Sequence, residues 1–210
     1  MKEEWKSVIS TEAQLRKLNG EPSEMVKRKV ISYVDKHVTD FIQESPFLVL
    51  STANSEGKCD ASPRGDGPGF VHILNEKQLL IPDRPGNKRM DSMLNIMANP
   101  HVGLLFLIPG LGETLRVNGV ATIIADDDLL KNTSVNEKVP TVGIVVDVEE
   151  CYIHCAKSII RSHLWQPESW SKDIDVAPAA KIVKDHANME GLSERNVGDR
   201  LKESYTKRLY

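Results

Sequence analysis

The spacing of apolar positions changes near Pro46, and the change divides the chain. From Thr11 to Ser45, the residues Leu15, Leu18, Met25, Val26, Val30, Val34, Val38, Phe41 and Ile42 recur at helical spacing among helix formers. One broken or two short amphipathic helices are expected there. The last should stop at Ser45-Pro46, because a residue before proline avoids the helical region. Beyond Pro46 the pattern is that of strands: "FLVLSTA" is a buried run, "KCDASPR" alternates, and the short apolar runs "FVHIL" and "QLLI" flank a turn at Asn75-Glu76-Lys77. Four successive antiparallel strands are expected.

A helical period returns in "IPDRPGNKRMDSMLNIMANP", where Met90, Met93, Leu94 and Met97 predict a helix over 87–97 with one buried face, ended by Asn99-Pro100. "HVGLLFLI" is then a strand, Pro109-Gly110-Leu111-Gly112 a turn, and "TLRVNGVATIIA" a long partner strand. A small helix is expected near 126–130, a further long strand over Thr141–Cys155, and an exposed charged helix from Pro178 onward. About six antiparallel strands with helices at the ends and in one connection predict a small β-barrel with α-helical additions. The expected organisation is a helical segment 1–45, a barrel 46–165 and a helical segment 166–210, together one domain.

Composition narrows the functional classes. With 210 residues, 40% of them hydrophobic, the chain can bury one core. A net charge of -3 gives no overall attraction for nucleic acid or acidic membranes, so any anion must be held by a local cluster. No apolar run approaches the ~20 residues of a membrane span, and "MKEEWKSVIS" lacks the apolar stretch of a signal peptide. A soluble, cytoplasmic protein is expected. Cys59, Cys151 and Cys155 form no even set, so no disulfide is expected. On a strand, Cys151 and Cys155 would stand roughly 13 Å apart with His154 facing the other way, which argues against a shared metal ion.

Two cation clusters could carry chemistry. Gly86, Asn87, Lys88 and Arg89 fall where a loop is expected to enter a helix. Cations there oppose the macrodipole, whereas free backbone N–H groups at such a place receive phosphate. The alternative is a solvated helix start that tolerates its charge. Arg64 closes "KCDASPR" and runs into "GDGPG", where glycines permit close approach of a flat ligand; the alternative is a connecting loop with Arg64 paired to Asp66. Trp165 and Trp170 are candidates to cap a ring-shaped ligand or simply to cover the barrel end, and the neighbouring Arg161 favours Trp165 for the ligand.

Taken together, "FLVLSTANSEGKCDASPRGDGPGFV", "LLIPDRPGNKRMDSMLNIMANPHVGLLFLIPG" and "ETLRVNGVATI" resemble, in order and spacing, the pyridoxamine 5'-phosphate oxidase-like family of FMN-binding split β-barrels. The similarity runs from about Pro46 to Trp165 and is nearest to a subgroup with "DRPGN-R" and "HCAK-IIRS-LW" blocks. The resemblance implies a split antiparallel barrel and a homodimer with FMN at the subunit interface, acting on a small substrate as an oxidoreductase. It places Ser62, Pro63, Arg64 and Gly65 along the flavin, and Pro82, Asp83, Asn87 and Lys88, with Arg89, at the ribityl chain and phosphate. Thr114 and the nearby Arg116 would reach the cofactor from the partner subunit. Arg161 and Trp165, from the reading of the residues themselves, are further cofactor-binding candidates. Asn87-Lys88 replaces the Arg-Lys pair of the vitamin B6 oxidases. The ending "KESYTKRLY" also lacks their Arg-x-His and Arg-Leu-Ala-Pro elements, which argues against pyridoxamine phosphate as substrate. A non-catalytic carrier of flavin, haem or a deazaflavin, and a cofactor-free interaction protein, are the alternatives.

Overall fold

A computed structural model describes residues 5–210; the first four residues of "MKEEWKSVIS", where no apolar signal stretch is expected, lie outside the described residues. Three short helices come first: α1 (Glu12–Asn19), α2 (Glu24–Arg28) and α3 (Lys36–Glu44). Each has a side-chain N-cap, from Thr11, Ser23 and Asp35 respectively. Only α3 reaches the core, through Val38 and Ile42; Leu15, Leu18, Met25 and Val26 stay exposed. Ser45 is extended and ends α3, as the following proline requires.

The strands are β1 (Phe47–Ala53), β2 (Cys59–Gly65), β3 (His72–Asn75), β4 (Gln78–Pro82), β5 (His101–Leu107), β6 (Thr114–Ile124) and β7 (Gly143–His154). All pairings are antiparallel, and the spatial order is β2-β1-β5-β6-β7-β4-β3. The sheet therefore curls without closing, leaving β2 and β3 at its two edges: a split barrel. The four strands expected in succession are two hairpins, β1-β2 and β3-β4, carried to opposite ends of the sheet. The loop from Asp66 to Val71 spans the barrel instead of making a tight turn, and Phe70 and Val71 enter the core from it.

Alternation divides the two faces. Leu48, Leu50, Leu104, Phe106, Leu115 and Val117 are buried inward and form the core with Ile42, Leu79, Ile81, Ile144, Val146 and Cys151. A register shift between Asn118 and Gly119 kinks β6 against β7. Only glycine fits at this bulge, since a Cβ on Gly119 would lie 2.1 Å from the Asp147 carbonyl oxygen.

Helix α4 (Asp91–Ala98) joins β4 to β5, and α5 (Asp127–Lys131) lies between β6 and β7. Then follow α6 (Lys157–Ser162), α7 (Ala179–Ala187) and α8 (Glu194–Lys207). Two helices thus occupy the stretch expected to hold one, parted where Asn188 and Gly191 take left-handed backbone. Among the described residues, no helix is long and apolar enough to cross a membrane, and no three or more His, Cys, Asp or Glu side chains are grouped to hold a metal ion.

Helix α4 departs most from expectation. It begins at Asp91, not near Asn87, so Lys88 and Arg89 lie in the loop before it. The loop cannot join the helix because Lys88 and Met90 both have positive φ, at 62° and 58°. The Asn87 side chain also accepts the Arg89 N–H at 3.0 Å, a local turn that competes with helix. The buried face differs too. Ser92 and Ile96, one turn apart, face the sheet, while Met90, Leu94 and Met97 are exposed. Polar bonds orient the helix: Asn95 donates to Thr52 Oγ1 at 3.0 Å, and Ser92 bonds both Arg64 and Asp60.

Candidate functional site

Two segments meet beside the N-terminus of α4: the end of β2, and the loop that leaves β4. Between them is a cavity of about 590 Å³. Its walls include Ser62, Pro63, Arg64, Gly65, Pro82, Asp83, Asn87, Lys88 and Arg89, so nine of the candidate positions converge on one space. Four cations line it, Arg64, Arg84, Lys88 and Arg89, against two carboxylates, Asp83 and Asp91. The local positive balance is what an acidic chain needs to hold an anion.

Arg64 faces inward because it pairs with Leu48 across the β1-β2 ladder, and Leu48 points into the core. Its Nη2 donates to Ser92 Oγ at 3.1 Å and its Nη1 to the Pro63 carbonyl at 2.9 Å. Ser92 in turn donates to Asp60 at 2.7 Å, and Ser62 to the same carboxylate at 2.9 Å. This chain of polar groups fixes the guanidinium, yet Arg64 Nε is buried with no partner among the described residues. Such an orphaned donor costs about 1–3 kcal/mol. It is the feature that most needs an acceptor.

Two further features favour an anion. Met90, at the N-cap of α4, supplies no side-chain cap, leaving the first-turn amides open. Lys88 is exposed and makes no ion pair among the described residues, whereas Arg89 is held by Asp91 at 2.7 Å. Asp91 supplies the acidic group that a helix start prefers, so the charge conflict expected at Lys88 and Arg89 does not arise within the helix itself.

Asp66 does not pair with Arg64. Its carboxylate accepts Arg84 Nε at 2.6 Å and the Tyr210 hydroxyl at 2.7 Å, with only 6% of the Asp66 side chain and 16% of the Arg84 side chain exposed. Burial by itself would raise the Asp66 pKa. The Tyr210 hydroxyl, the Gly67 amide and Arg84 together outweigh it and hold the carboxyl below its ordinary value. Asp83 is shifted the other way: burial raises its pKa despite the nearby charges of Arg64 and Arg84.

The remaining four candidates lie elsewhere. Thr114, Arg116, Arg161 and Trp165 do not line this cavity. Arg116 shares a cross-strand row with Val49 and Leu105 on the outer face of the sheet, where its Nη1 donates to the Tyr152 hydroxyl at 2.8 Å. Thr114 lies opposite His154 and is buried. Arg161 is exposed on α6, and Trp165 donates its indole N–H to the Leu111 carbonyl at 2.8 Å. Asp60, Ser92 and Tyr210 join the site without any signal in spacing or charge pattern, and Arg84 joins it as a further cation within "PDRPGNKR".

The sequence profile described as Pyridoxamine 5'-phosphate oxidase matches residues 34–155, more than half of the chain. The chain belongs to that family. The matched span includes every strand of the split barrel and all residues of the cavity wall named above. No curated protein matches the chain in sequence. Among solved structures, similar folds include HupZ of Group A Streptococcus (15% identity over 57% of this chain and 92% of that one, TM-score 0.47). General Stress Protein 26 of Bacillus anthracis (20%, 55% and 88%, TM-score 0.43) is another. So is HutZ, the heme storage protein of Vibrio cholerae (12%, 58% and 94%, TM-score 0.40). The family assignment rests on the sequence match.

Proposed function

We propose that this family member is an FMN-dependent oxidoreductase acting on a small substrate. The observation that carries the proposal is the unpartnered, buried Nε of Arg64, fixed by Ser92 and Asp60 at the floor of a cavity lined by four cations. A phosphorylated flavin fits this donor set. The open amides at the start of α4, with Lys88, suit the phosphate, and Arg64 suits a second acceptor on the same ligand. When bound, the flavin would supply the electron transfer. The protein's part is to bind, orient and bias: positive charge at the cavity floor favours the more negative form of whatever lies against it.

The outer sheet face supports a homodimer. Phe47 is exposed there, and Val49, Leu105 and Leu107 are only partly covered, an apolar surface that a second copy would bury. Thr114 and Arg116 belong to this same side. A second copy docked on it would carry them toward the first copy's cavity, which accounts for their distance from it within one chain.

The test compares FMN with riboflavin, which lacks the phosphate. The purified protein should carry the visible absorbance of a flavin, and added FMN should raise the melting temperature, since a ligand at 100 times its Kd stabilises by about 2.7 kcal/mol. Riboflavin should stabilise far less. If neither ligand shifts the melting temperature, the proposal fails. A flavin that binds but is neither reduced by a nicotinamide donor nor reoxidised would convert the enzyme into a carrier. Light scattering should report a dimer, and a monomer in the flavin-loaded state would refute the shared site.

A further inference from the structure

A second cavity, of about 420 Å³, lies on the other side of the Asp83-Arg84-Pro85 segment. The two cavities share Asp83, Arg84, Pro85 and Thr141 as walls. The second is completed by Lys138, Val139, Pro140 and Tyr210. We infer that it is the substrate subsite, and that it takes a small flat ring carrying a hydroxyl or amino donor which bonds the Asp83 carboxylate. As a substrate subsite it depends on the flavin proposal for the first cavity; as a ligand site it stands on its own geometry.

The walls select a flat, largely apolar ligand. Pro85, Val139 and Pro140 are apolar, and the first and last have restricted backbones. Tyr210 is pinned at two points: its hydroxyl donates to Asp66 at 2.7 Å, and its main-chain oxygen accepts Lys138 Nζ at 2.6 Å. Lys138 is itself set by a tight turn. Val135 and Lys138 exchange backbone hydrogen bonds of 2.9 and 3.2 Å around Asn136 and Glu137, both of which have positive φ. Arg84 is held by Asp66, with its guanidinium carbon 5.9 Å from the Tyr210 ring centroid. A planar cation and an aromatic ring fixed beside each other form a wall suited to a flat ring. The volume falls within the usual range of small-molecule sites.

Asp83 supplies the specificity. Every other charged group around the second cavity already has a partner: Arg84 has Asp66, and Lys138 has the Tyr210 oxygen. Among the described residues, no N–H or O–H donates to the Asp83 carboxylate. A half-buried carboxylate without a donor favours a ligand that brings one. Its position in the wall common to both cavities would hold that donor group next to the flavin.

Phenol and anisole distinguish the proposal, since they share a ring and differ in the O–H. Ligand-observed NMR titration of the protein without added FMN should show phenol binding about tenfold more tightly than anisole at pH 7. The preference should fade as the pH falls through the Asp83 pKa, because the protonated carboxyl no longer needs a donor. Asp83→Ala should level the two affinities, and Tyr210→Ala should weaken both ligands together. Equal binding of phenol and anisole, absence of saturable binding, or a preference insensitive to pH would overturn the subsite. The pH arm uses the unaltered chain, so a poorly folding variant cannot obscure the result. FMN binding is scored separately. Phenol selectivity without an FMN effect overturns the flavin proposal alone; the reverse overturns the subsite alone.

Discussion

Arg64→Met should weaken FMN binding at only a modest cost to the stability of the cofactor-free protein. The substitution keeps an unbranched side chain along the cavity floor and removes the guanidinium. In the cofactor-free state it deletes two hydrogen bonds from a charged donor, to Ser92 at 3.1 Å and to the Pro63 carbonyl at 2.9 Å, each worth about 1.5–3 kcal/mol. It also removes the orphaned Nε, whose desolvation costs about 1–3 kcal/mol or more with opposite sign. Ser92 keeps its bond to Asp60, so no new unsatisfied hydroxyl is created. The second contribution offsets much of the first, so the melting temperature should fall only modestly. With FMN bound the balance changes, because the wild-type Nε has its acceptor. Losing a charge-assisted hydrogen bond of about 1.5–3 kcal/mol predicts a Kd raised roughly 10- to 100-fold. Flavin fluorescence titration gives the Kd, and thermal unfolding without flavin gives the stability. A large loss of stability with unchanged FMN affinity would show that Arg64 is a structural brace, and would refute the assignment of its Nε to a ligand.

Lys88→Gly separates charge from backbone: glycine suits the φ of 62°, so stability should hold or rise by up to about 1 kcal/mol while FMN affinity falls, most visibly at low salt; equal affinity at all salt concentrations would count against a phosphate at this loop. Gly119→Ala should cost about 3 kcal/mol or more in urea unfolding, since the new Cβ meets a carbonyl oxygen at 2.1 Å and the bulged β6-β7 pairing must shift. Tyr210→Phe removes one of the bonds that depress the Asp66 pKa. A depressed carboxyl stabilises above its unfolded-state value, ordinarily 3.8, and loses that contribution as pH falls through the folded value. The variant should therefore melt below wild type at pH 7, with the gap narrowing in acid below the ordinary value. Burial pushes the Cys151 thiol up to about 11, so in a timed alkylation at pH 8 it should react only on unfolding, whereas exposed Cys155 reacts in the native state.

The strands were legible because their signals are local. Each apolar or alternating run from "FLVLSTA" to "TVGIVVDVEECYIHC" became a strand within a few residues of its expected ends. Their arrangement was less so. Nothing in "GDGPGFV" distinguishes a loop that crosses the barrel from one that turns a hairpin, yet that choice puts β2 and β3 on opposite edges. Helix α4 shows how a clean period can mislead. The Met90, Met93, Leu94 and Met97 stripe fits a buried face, but the sheet offers Arg64, Asp60 and Thr52 at the contact, and those polar groups draw in Ser92 and Asn95 instead. Satisfying buried polar groups outweighed burial of methionine, which is cheap to leave exposed when unpartnered donors would cost more.

The site divides along the same physical line. Its nine convergent residues lie on two short segments, 62–65 and 82–89, and a family resemblance carried on contiguous blocks could find them. The groups that hold those residues in place are scattered. Asp60 steadies Arg64 through Ser92, and Tyr210 reaches Asp66 across 144 positions of sequence to fix Arg84. Neither link has a spacing or period that a linear pattern could reveal, because each depends on where β2 and the residues beyond α8 come to rest. The resemblance blocks contain the cations of the first cavity, but the second cavity depends on Tyr210 and Lys138, with Tyr210 lying outside the matched span of 34–155. Tyr210→Ala should therefore disturb the second cavity, whose wall it forms, more than the first, which it does not line.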